Sequence, residues 1–195
     1  MEYNRHCPHL SSVNEVVKYS ADSNLFFLRD DLGDELGAVV GYLECAALAQ
    51  HQRIRELFSR IAGEEAGHFI RLARMICSLD PVQAEQLKRQ ELTVLTLIND
   101  GPALPESPCG NCLSKEDRPE RKSFQGERYY KPGFKEREFL GNAIRDELRA
   151  INAYQKQVQI TASQSIQNLL IVIMNREKEH LAQFIRLFYD LQHSN

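Results

Sequence analysis

The stretch Asp34-Glu35-Leu36-Gly37-Ala38-Val39-Val40-Gly41-Tyr42 decides how this chain of 195 residues folds. Apolar residues recur around it every three or four positions, which is typical of the inward stripe of an amphipathic helix. A glutamate, Glu35, stands in the middle of that stripe. An isolated ionised carboxylate in a packed core is very costly, so a group of opposite charge must meet it. The full stripe is Leu25, Leu28, Leu32, Glu35, Val39, Tyr42, Ala46 and Ala49.

A second helical stretch carries the same anomaly, with Glu65 and His68 among its inward positions. The apolar spacing predicts a first helix over about 23–49 and a second over about 52–79, with the turn near residue 50. Glu35 and Glu65 are equally far from that turn. Two antiparallel helices that rise about 1.5 Å per residue therefore bring both glutamates to one level. The second stripe is Ile54, Phe58, Ile61, Glu65, His68, Leu72, Met75 and Leu79.

The two halves of the chain repeat each other at an offset of 112 residues. Without gaps, 27–76 aligns with 139–188 at 14 identical positions among 50. A duplicated helical hairpin explains this, and the second hairpin is predicted over about 136–192, with a break at 161–165. Four of the identical positions are the polar residues of the inward stripes, namely Glu35/Glu147, Tyr42/Tyr154, Glu65/Glu177 and His68/His180.

The segment between the hairpins, about 80–135, differs in composition from the helical stretches. Five of the seven prolines lie between residues 99 and 135, together with several glycines and charges of both signs, which indicates a loop or crossover. The length of the chain suits one well-buried core. The sequence therefore predicts one all-α domain over 1–195, a four-helix bundle made of two duplicated hairpins with a long crossover.

Packed as a bundle, the hairpins bring four carboxylates and two imidazoles to one level of the core. Two divalent ions would neutralise the four carboxylates, and this donor set suits iron or manganese, with zinc possible. A glutamate from each of two helices and Glu-x-x-His from each of the others is the constellation of ferritin-like di-iron and di-manganese proteins. The predicted metal ligands are Glu35, Glu65, His68, Glu147, Glu177 and His180. Tyr42 and Tyr154 are either hydrogen-bond donors to these carboxylates or plain core tyrosines.

The chain resembles the ferritin-like superfamily in its rubrerythrin-type branch, on these six positions. The second half, through residues 143–154 and 176–180, is also similar to the half-bundle repeat of encapsulated ferritins. The resemblance implies a left-handed four-helix bundle whose crossover joins the second and third helices. It also implies two iron ions at the six ligands, which react with dioxygen or hydrogen peroxide and oxidise Fe(II), in iron handling or oxidative-stress defence.

Two departures from the rubrerythrin pattern bear on the reaction. Rubrerythrins have two Cys-x-x-Cys pairs in an electron-feeding domain, whereas this chain has one pair, Cys109 and Cys112. Rubrerythrins also carry an extra glutamate where this chain has Ala150. A more symmetric, ferroxidase-like centre with an external electron donor is therefore favoured. The alternatives are a di-manganese, catalase-like enzyme and a non-catalytic metal-binding or structural protein.

The five cysteines are an odd number at irregular spacing, so a disulfide framework is not expected. Cys109 and Cys112 could hold an additional zinc or iron ion with Cys7 and His9, since a tetrahedral site needs four ligands. Solvated loop thiols and a redox-active pair are the alternatives. Cys45 and Cys77 are predicted to be buried helix thiols.

The net charge of −3, with both signs mixed, favours neither nucleic acid nor a membrane surface as a partner. Without a long apolar run or a signal-peptide core, the expected location is cytoplasmic. Apolar residues at outer helix positions, Phe26, Val40 and Leu43, favour a homodimer. The acidic residues off the stripes are predicted to face water, namely Asp34, Glu64, Asp146 and Glu179.

Overall fold

The computed structural model describes residues 22–92 and 133–193, and every regular element in these ranges is an α-helix. The all-α class is therefore confirmed. Cys7, His9, Cys109 and Cys112 lie outside the described residues, so the metal or redox site predicted there stays a prediction. The helices are α1 (Asn24–Leu48), α2 (Gln52–Leu79), α3 (Pro81–Arg89), α4 (Phe134–Ile160) and α5 (Gln164–His193). In the described part of the chain, no helix has both the length and the apolar character to cross a membrane.

Two helical hairpins make up the fold, α1 with α2 and α4 with α5. Each hairpin turns through three residues, of which Ala49, His51 and Thr161 have extended backbone. The N–H groups of Ala49 and Thr161 still bond to carbonyls one turn back, so each helix ends with its last turn satisfied. The long helices begin and end within two residues of the positions that the apolar spacing predicts.

Contacts between the hairpins fix their relative direction. Tyr42 of α1 donates a hydrogen bond to Glu147 of α4, and Tyr154 of α4 donates one to Glu35 of α1. Because residue numbers rise along one helix as they fall along the other, α1 and α4 are antiparallel. By the same criterion α2 and α5 are antiparallel, from the pairs Arg53–Asp190 and Arg60–Gln183.

The core consists of two apolar clusters with a polar layer between them. One cluster is centred on the rings of Tyr42, Phe58 and Phe184, whose centroids lie 5.0–5.4 Å apart. The other contains Leu28 and Leu72, both fully buried. Burying such a side chain stabilises the fold by about 1.5–3 kcal/mol, so both clusters hold the intervening polar layer in place.

The short helix α3 begins directly after α2 ends. Asp80 caps it, because its Oδ1 accepts hydrogen bonds from the backbone N–H groups of Val82 and Gln83 at 3.0 and 3.1 Å. Pro81 occupies the first helical position, where its missing N–H costs nothing. Asp80 also pairs with Arg29 at 2.6 Å, which attaches the start of α3 to α1.

Glu136 ties the start of α4 to the turn of the first hairpin. Its side chain is 4% exposed, and its Oε1 accepts the N–H groups of Gln50 and His51, each at 2.7 Å. Its Oε2 accepts the N–H of Gly133 at 3.0 Å. One carboxylate therefore satisfies three backbone donors from two hairpins. Nothing in the local sequence of α4 signals this role, because two of the three donors come from residues about 85 positions away.

Replacing Glu136 by alanine is expected to destabilise the protein by about 2–3 kcal/mol, because three partly buried backbone N–H groups lose hydrogen bonds to a carboxylate. This corresponds to a fall of roughly 4–12 °C in the midpoint of thermal unfolding for a domain of this size. Glu138→Ala, at an exposed position of the same helix, is the control and is expected to shift stability by less than about 0.5 kcal/mol. Equal unfolding midpoints for the two variants would contradict the assignment.

Candidate metal centre

Six ionisable side chains form the polar layer between the two apolar clusters. Each is at most 4% exposed, although charged residues are rarely buried unless they are paired. The 3.6-residue period of each helix places these side chains on its inward face. Their similar distance from the hairpin turns places them at the same level. All six predicted ligand positions are thus brought together: Glu35 on α1, Glu65 and His68 on α2, Glu147 on α4, and Glu177 and His180 on α5.

Two overlapping groups of ligand atoms lie in this layer, and within each group all atoms are within 4.8 Å of one another. Glu65 and Glu177 belong to both groups, so each could contribute a donor atom to either. Glu35 and Glu147 each belong to one group. The His68 set is Glu35, Glu65, His68 and Glu177; the His180 set is Glu65, Glu147, Glu177 and His180.

Both histidines present Nδ1 to the carboxylates. Nδ1 of His68 lies 2.8 Å from Glu177 Oε1 and 2.9 Å from Glu65 Oε2. Nδ1 of His180 lies 2.9 Å from Glu65 Oε1 and 3.3 Å from Glu177 Oε2. The two rings are stacked with centroids 5.8 Å apart. Each histidine therefore contacts the glutamate of its own helix turn and the corresponding glutamate of the other hairpin.

The burial of these groups and their mutual contacts shift their pKa values in opposite directions. Burial raises the pKa of Glu35 to about 8 and that of Glu147 to about 10. Burial acts to lower the histidine pKa values, but the surrounding carboxylates, Glu177 first, outweigh it and raise them to about 12 for His68 and about 11 for His180. Burial acts to raise the pKa of the two shared glutamates, but contacts with both histidines outweigh it and hold those pKa values below their ordinary range.

Near pH 7 these pKa values leave the layer with no net charge. The two shared glutamates are ionised, the two histidines are protonated, and Glu35 and Glu147 are neutral. The metal-free layer thus carries four protons more than a fully deprotonated donor set would carry. Two divalent cations would supply the same four positive charges.

The donor atoms fit a pair of divalent metal ions. Glu65 Oε1 and Glu177 Oε1 are buried oxygens that accept no hydrogen bond from the described residues, and they belong to the two shared glutamates. Each lies within 2.9 Å of a histidine Nδ1, close enough for an ion pair but without hydrogen-bond alignment. Buried polar atoms normally find a partner. Carboxylate oxygen with imidazole nitrogen suits iron, manganese or zinc better than calcium.

Tyr42 and Tyr154 connect the two hairpins at the edge of the site. Tyr42 Oη donates to Glu147 Oε1 at 2.8 Å, and Tyr154 Oη donates to Glu35 Oε1. Each tyrosine thus donates a hydrogen bond to the glutamate of the opposite hairpin. Burial and the adjacent carboxylate raise the pKa of both phenols, so they remain protonated donors. The hydrogen-bonding role is the one that this geometry supports.

Tyr154→Phe is expected to weaken metal binding at the His68 set by about 10-fold, and Tyr42→Phe to do the same at the His180 set. Each change removes the hydrogen bond that orients one carboxylate and leaves the ring packing intact. Co(II) titration of the metal-free proteins measures the effect. Tyr189→Phe, at a position that is 58% exposed, is the control and should bind as the unchanged protein does. Equal affinities in all three variants would contradict the assigned role.

Asp31 and Gln157 form a buried polar pair that the sequence did not reveal. Asp31 lies one turn before Glu35, is 4% exposed and accepts a hydrogen bond from Gln157 Nε2 at 2.7 Å. Burial raises the pKa of Asp31 to about 7. The repeat offset places Ala143 and Cys45 at the equivalent positions, so this pair has no counterpart in the other half. The spacing of four residues between Asp31 and Glu35 was the available signal, but Leu32 already occupies that turn of the apolar stripe.

Glu64 corrects a prediction about the acidic residues off the stripes. Asp34, Asp146 and Glu179 are exposed as predicted. Glu64 is partly buried, and its Oε2 lies 3.0 Å from Nε2 of His180. The prediction that it faces water is wrong because α5 packs beside α2 at this level and brings the outer edge of the His180 ring to Glu64.

Cys77 is buried as predicted, whereas Cys45 is only half-buried.

A cavity of about 590 Å³ lies between α1 and α4 and reaches the glutamates of both sets. Glycine and alanine line much of it, because small side chains on the two facing helices leave the space unfilled. Ala150 is in this wall. The cavity gives small molecules a route to the carboxylates. Its small lining residues are Gly37, Ala38, Gly41, Ala143, Ala150 and Ala153.

Comparison of the chain with protein-family models, with curated proteins and with solved structures finds no match in any of the three. Its class is therefore defined by fold and site alone. Over residues 22–92 and 133–193 the protein is all-helical and bundle-like, with a buried cluster of glutamates and histidines that could hold metal ions.

Proposed function

We propose that this chain is a ferritin-like carboxylate oxidoreductase with a dinuclear iron centre. In this proposal the iron ligands are the four glutamates and two histidines of the His68 and His180 sets. The observation that carries the proposal is the overlap of these sets, with Glu65 and Glu177 in both. Shared carboxylates between two donor groups are what a pair of metal ions requires, whereas one metal ion would need only one group.

The direction of the helices supports the ferritin-like topology. α2 and α4 are each antiparallel to α1, so they run in the same direction. The end of α2 and the start of α4 therefore lie at opposite ends of α1, which is the arrangement that a long crossover predicts. The repeat supports it as well, because the offset of 112 residues relates one hairpin to the other. A left-handed four-helix bundle is the form we propose.

The chemistry we propose is the oxidation of Fe(II) with the reduction of dioxygen or hydrogen peroxide. The reduction of dioxygen to hydrogen peroxide, or of hydrogen peroxide to two water molecules, takes two electrons and two protons, and a pair of Fe(II) ions held by the six ligands would supply the two electrons. The chain supplies six ligands and a low-dielectric, largely closed site. Tyr154 and Tyr42 hold Glu35 and Glu147 in place through hydrogen bonds. The cavity between α1 and α4 admits the small oxidant.

An external electron donor belongs to the proposal, because each peroxide molecule reduced to water consumes two electrons.

A homodimer is proposed as well. Phe26, Val40 and Leu43 are 68%, 49% and 51% exposed on α1, and sedimentation at several protein concentrations tests whether a second copy covers them.

The test is metal analysis of protein produced in medium that contains both iron and manganese, followed by activity assays. Two iron ions per chain, and Fe(II) oxidation faster than in buffer alone with dioxygen or peroxide, are the expected results. Two manganese ions with oxygen release from peroxide would instead identify a catalase-like enzyme. Bound metal without turnover of Fe(II) or peroxide would identify a non-catalytic protein. Either of these outcomes would refute the proposal.

A further inference from the structure

The two halves of the repeat differ at a residue that touches a proposed metal ligand. Glu64 Oε2 lies 3.0 Å from Nε2 of His180, on the side of the ring away from the shared glutamates. The offset of 112 residues places Arg176 at the equivalent position of the other half. Arg176 Nη1 donates to Glu179 Oε2 at 2.7 Å. A carboxylate therefore stands in one half where a guanidinium stands in the other.

A second residue of the same half holds Glu64 in place. Arg60, one turn earlier on α2, contacts Glu64 Oε1 at 2.8 Å, while Glu64 Oε2 contacts the imidazole. The glutamate side chain is 21% exposed, so solvent screens these contacts only in part. The equivalent of Arg60 is Val172, which cannot make such a contact. The chain Arg60–Glu64–His180 thus belongs to one half of the repeat.

The contact with Glu64 favours a cation at the His180 set in two ways. A ring N–H that donates to a carboxylate fixes the tautomer with the other nitrogen free for the metal, and it makes that nitrogen a stronger ligand. The negative charge of Glu64 also attracts a cation at the His180 set. At the equivalent position the other half of the repeat has Arg176, which offers no carboxylate to a histidine.

We propose that the centre binds its two metal ions unequally, with the His180 set as the tight position and the His68 set as the weak, exchangeable one. Glu64 is the positioning residue that creates the difference. This rests on the dinuclear site of the proposed function.

Co(II) added to the metal-free protein tests the proposal without any turnover. At one equivalent, anomalous scattering from crystals is expected to place the ion at the His180 set. Calorimetric titration is expected to give a tight step and a weaker step. Glu64→Gln should weaken the tight step by about 10- to 100-fold, the usual cost of removing a carboxylate behind a metal-binding histidine.

Arg176→Glu provides the converse experiment, because it installs a carboxylate in the other half of the repeat. It is expected to strengthen the weaker step, a gain that simple damage to the fold does not produce. In the double variant Glu64→Gln, Arg176→Glu, the first Co(II) ion is expected to move to the His68 set. Glu85→Gln is the matched control, since it breaks a Glu–Arg pair of similar spacing on α3, remote from the site. Both binding steps should be unchanged in it.

Equal occupancy of both sets at one equivalent of Co(II) would overturn the inequality and leave the dinuclear centre intact. Two unchanged steps in Glu64→Gln would do the same. No binding of Co(II) at the glutamates of the unchanged protein would overturn both the inequality and the proposed function. The failures of the two proposals are therefore distinguishable in one set of measurements.

Discussion

Replacing Glu177 by alanine is expected to abolish metal binding at both positions and to lower the rate of Fe(II) oxidation by about 100-fold or more. The reason is that Glu177 belongs to both the His68 set and the His180 set. Loss of its carboxylate leaves each set with three donors and removes a negative charge that both ions share. Metal content per chain, measured after loading and gel filtration, gives the first readout, and stopped-flow oxidation of Fe(II) gives the second.

Glu35→Ala is the informative comparison for this result. Glu35 belongs only to the His68 set, so this variant is expected to retain close to one metal ion per chain. Glu138→Ala, at an exposed position of α4, should retain two. Circular dichroism checks that all three variants are folded. A Glu177→Ala protein that bound two metal ions per chain and oxidised Fe(II) at the unchanged rate would refute the proposed centre.

Loading the protein with two divalent ions at pH 7 is expected to release close to four protons. The pKa values of Glu35, at about 8, and Glu147, at about 10, keep both carboxyls protonated when no metal is bound. The pKa values of His68, at about 12, and His180, at about 11, keep both imidazoles charged. A metal ion binds the deprotonated ligand, so all four protons must leave. Metal affinity is therefore expected to rise steeply with pH.

Calorimetry in buffers of different ionisation enthalpy counts these protons, because the measured heat changes in proportion to the protons that the buffer takes up. The Glu147→Gln variant removes one titrating carboxyl and should release about one proton fewer on loading, so it serves as the internal control. Release of fewer than two protons by the unchanged protein would show that the metal-free layer is neutralised in some other way.

The same groups set the pH dependence of stability in the metal-free protein. Their folded-state pKa values lie above the ordinary 4.5 of glutamate and 6.5 of histidine, so each contributes stability that is present below its ordinary pKa. That contribution is lost as pH rises through the folded pKa, from about 8 for Glu35 to about 12 for His68. The unfolding midpoint should therefore fall steadily between pH 6 and pH 9.

Metal loading is expected to remove most of this alkaline decline, since the loaded donors are already deprotonated. Below pH 4.5 the sign reverses, because the lowered pKa values of Glu65 and Glu177 give stability that is lost on their protonation. Thermal unfolding at several pH values, with and without chelator, measures both effects. A flat profile for the metal-free protein would contradict the charge state assigned to the layer.

The six clustered residues were predictable from the sequence because each is an ionisable residue at an inward helix position, where apolar residues are the rule. A glutamate in an apolar stripe at helical spacing is visible without any structure, and the repeat shows the same break twice. The helix ends were predictable for the same reason, since the apolar period stops where the chain turns. The all-α class follows from these periods alone.

The residues that the sequence missed owe their roles to the other hairpin. Glu136 bonds to Gln50 and His51, and Glu64 contacts His180 across more than a hundred positions of the chain. On its own helix, each looks like an ordinary surface glutamate. Asp31 likewise depends on Gln157 of α4. Such pairings require the relative position of the two hairpins, which a period within one helix does not encode.

Glu35 shows which properties follow from the sequence and which depend on the tertiary structure. Its place in the apolar stripe already required that something meet its charge, and the repeat supplied the neighbours that do so. Only the packed hairpins decided that Tyr154 bonds to it from the opposite helix and that its pKa rises to about 8. The sequence by itself determined which side chains enter the core, because burial follows periodicity. The tertiary structure decided their partners and their charge, because both depend on distances of a few ångströms between separate helices.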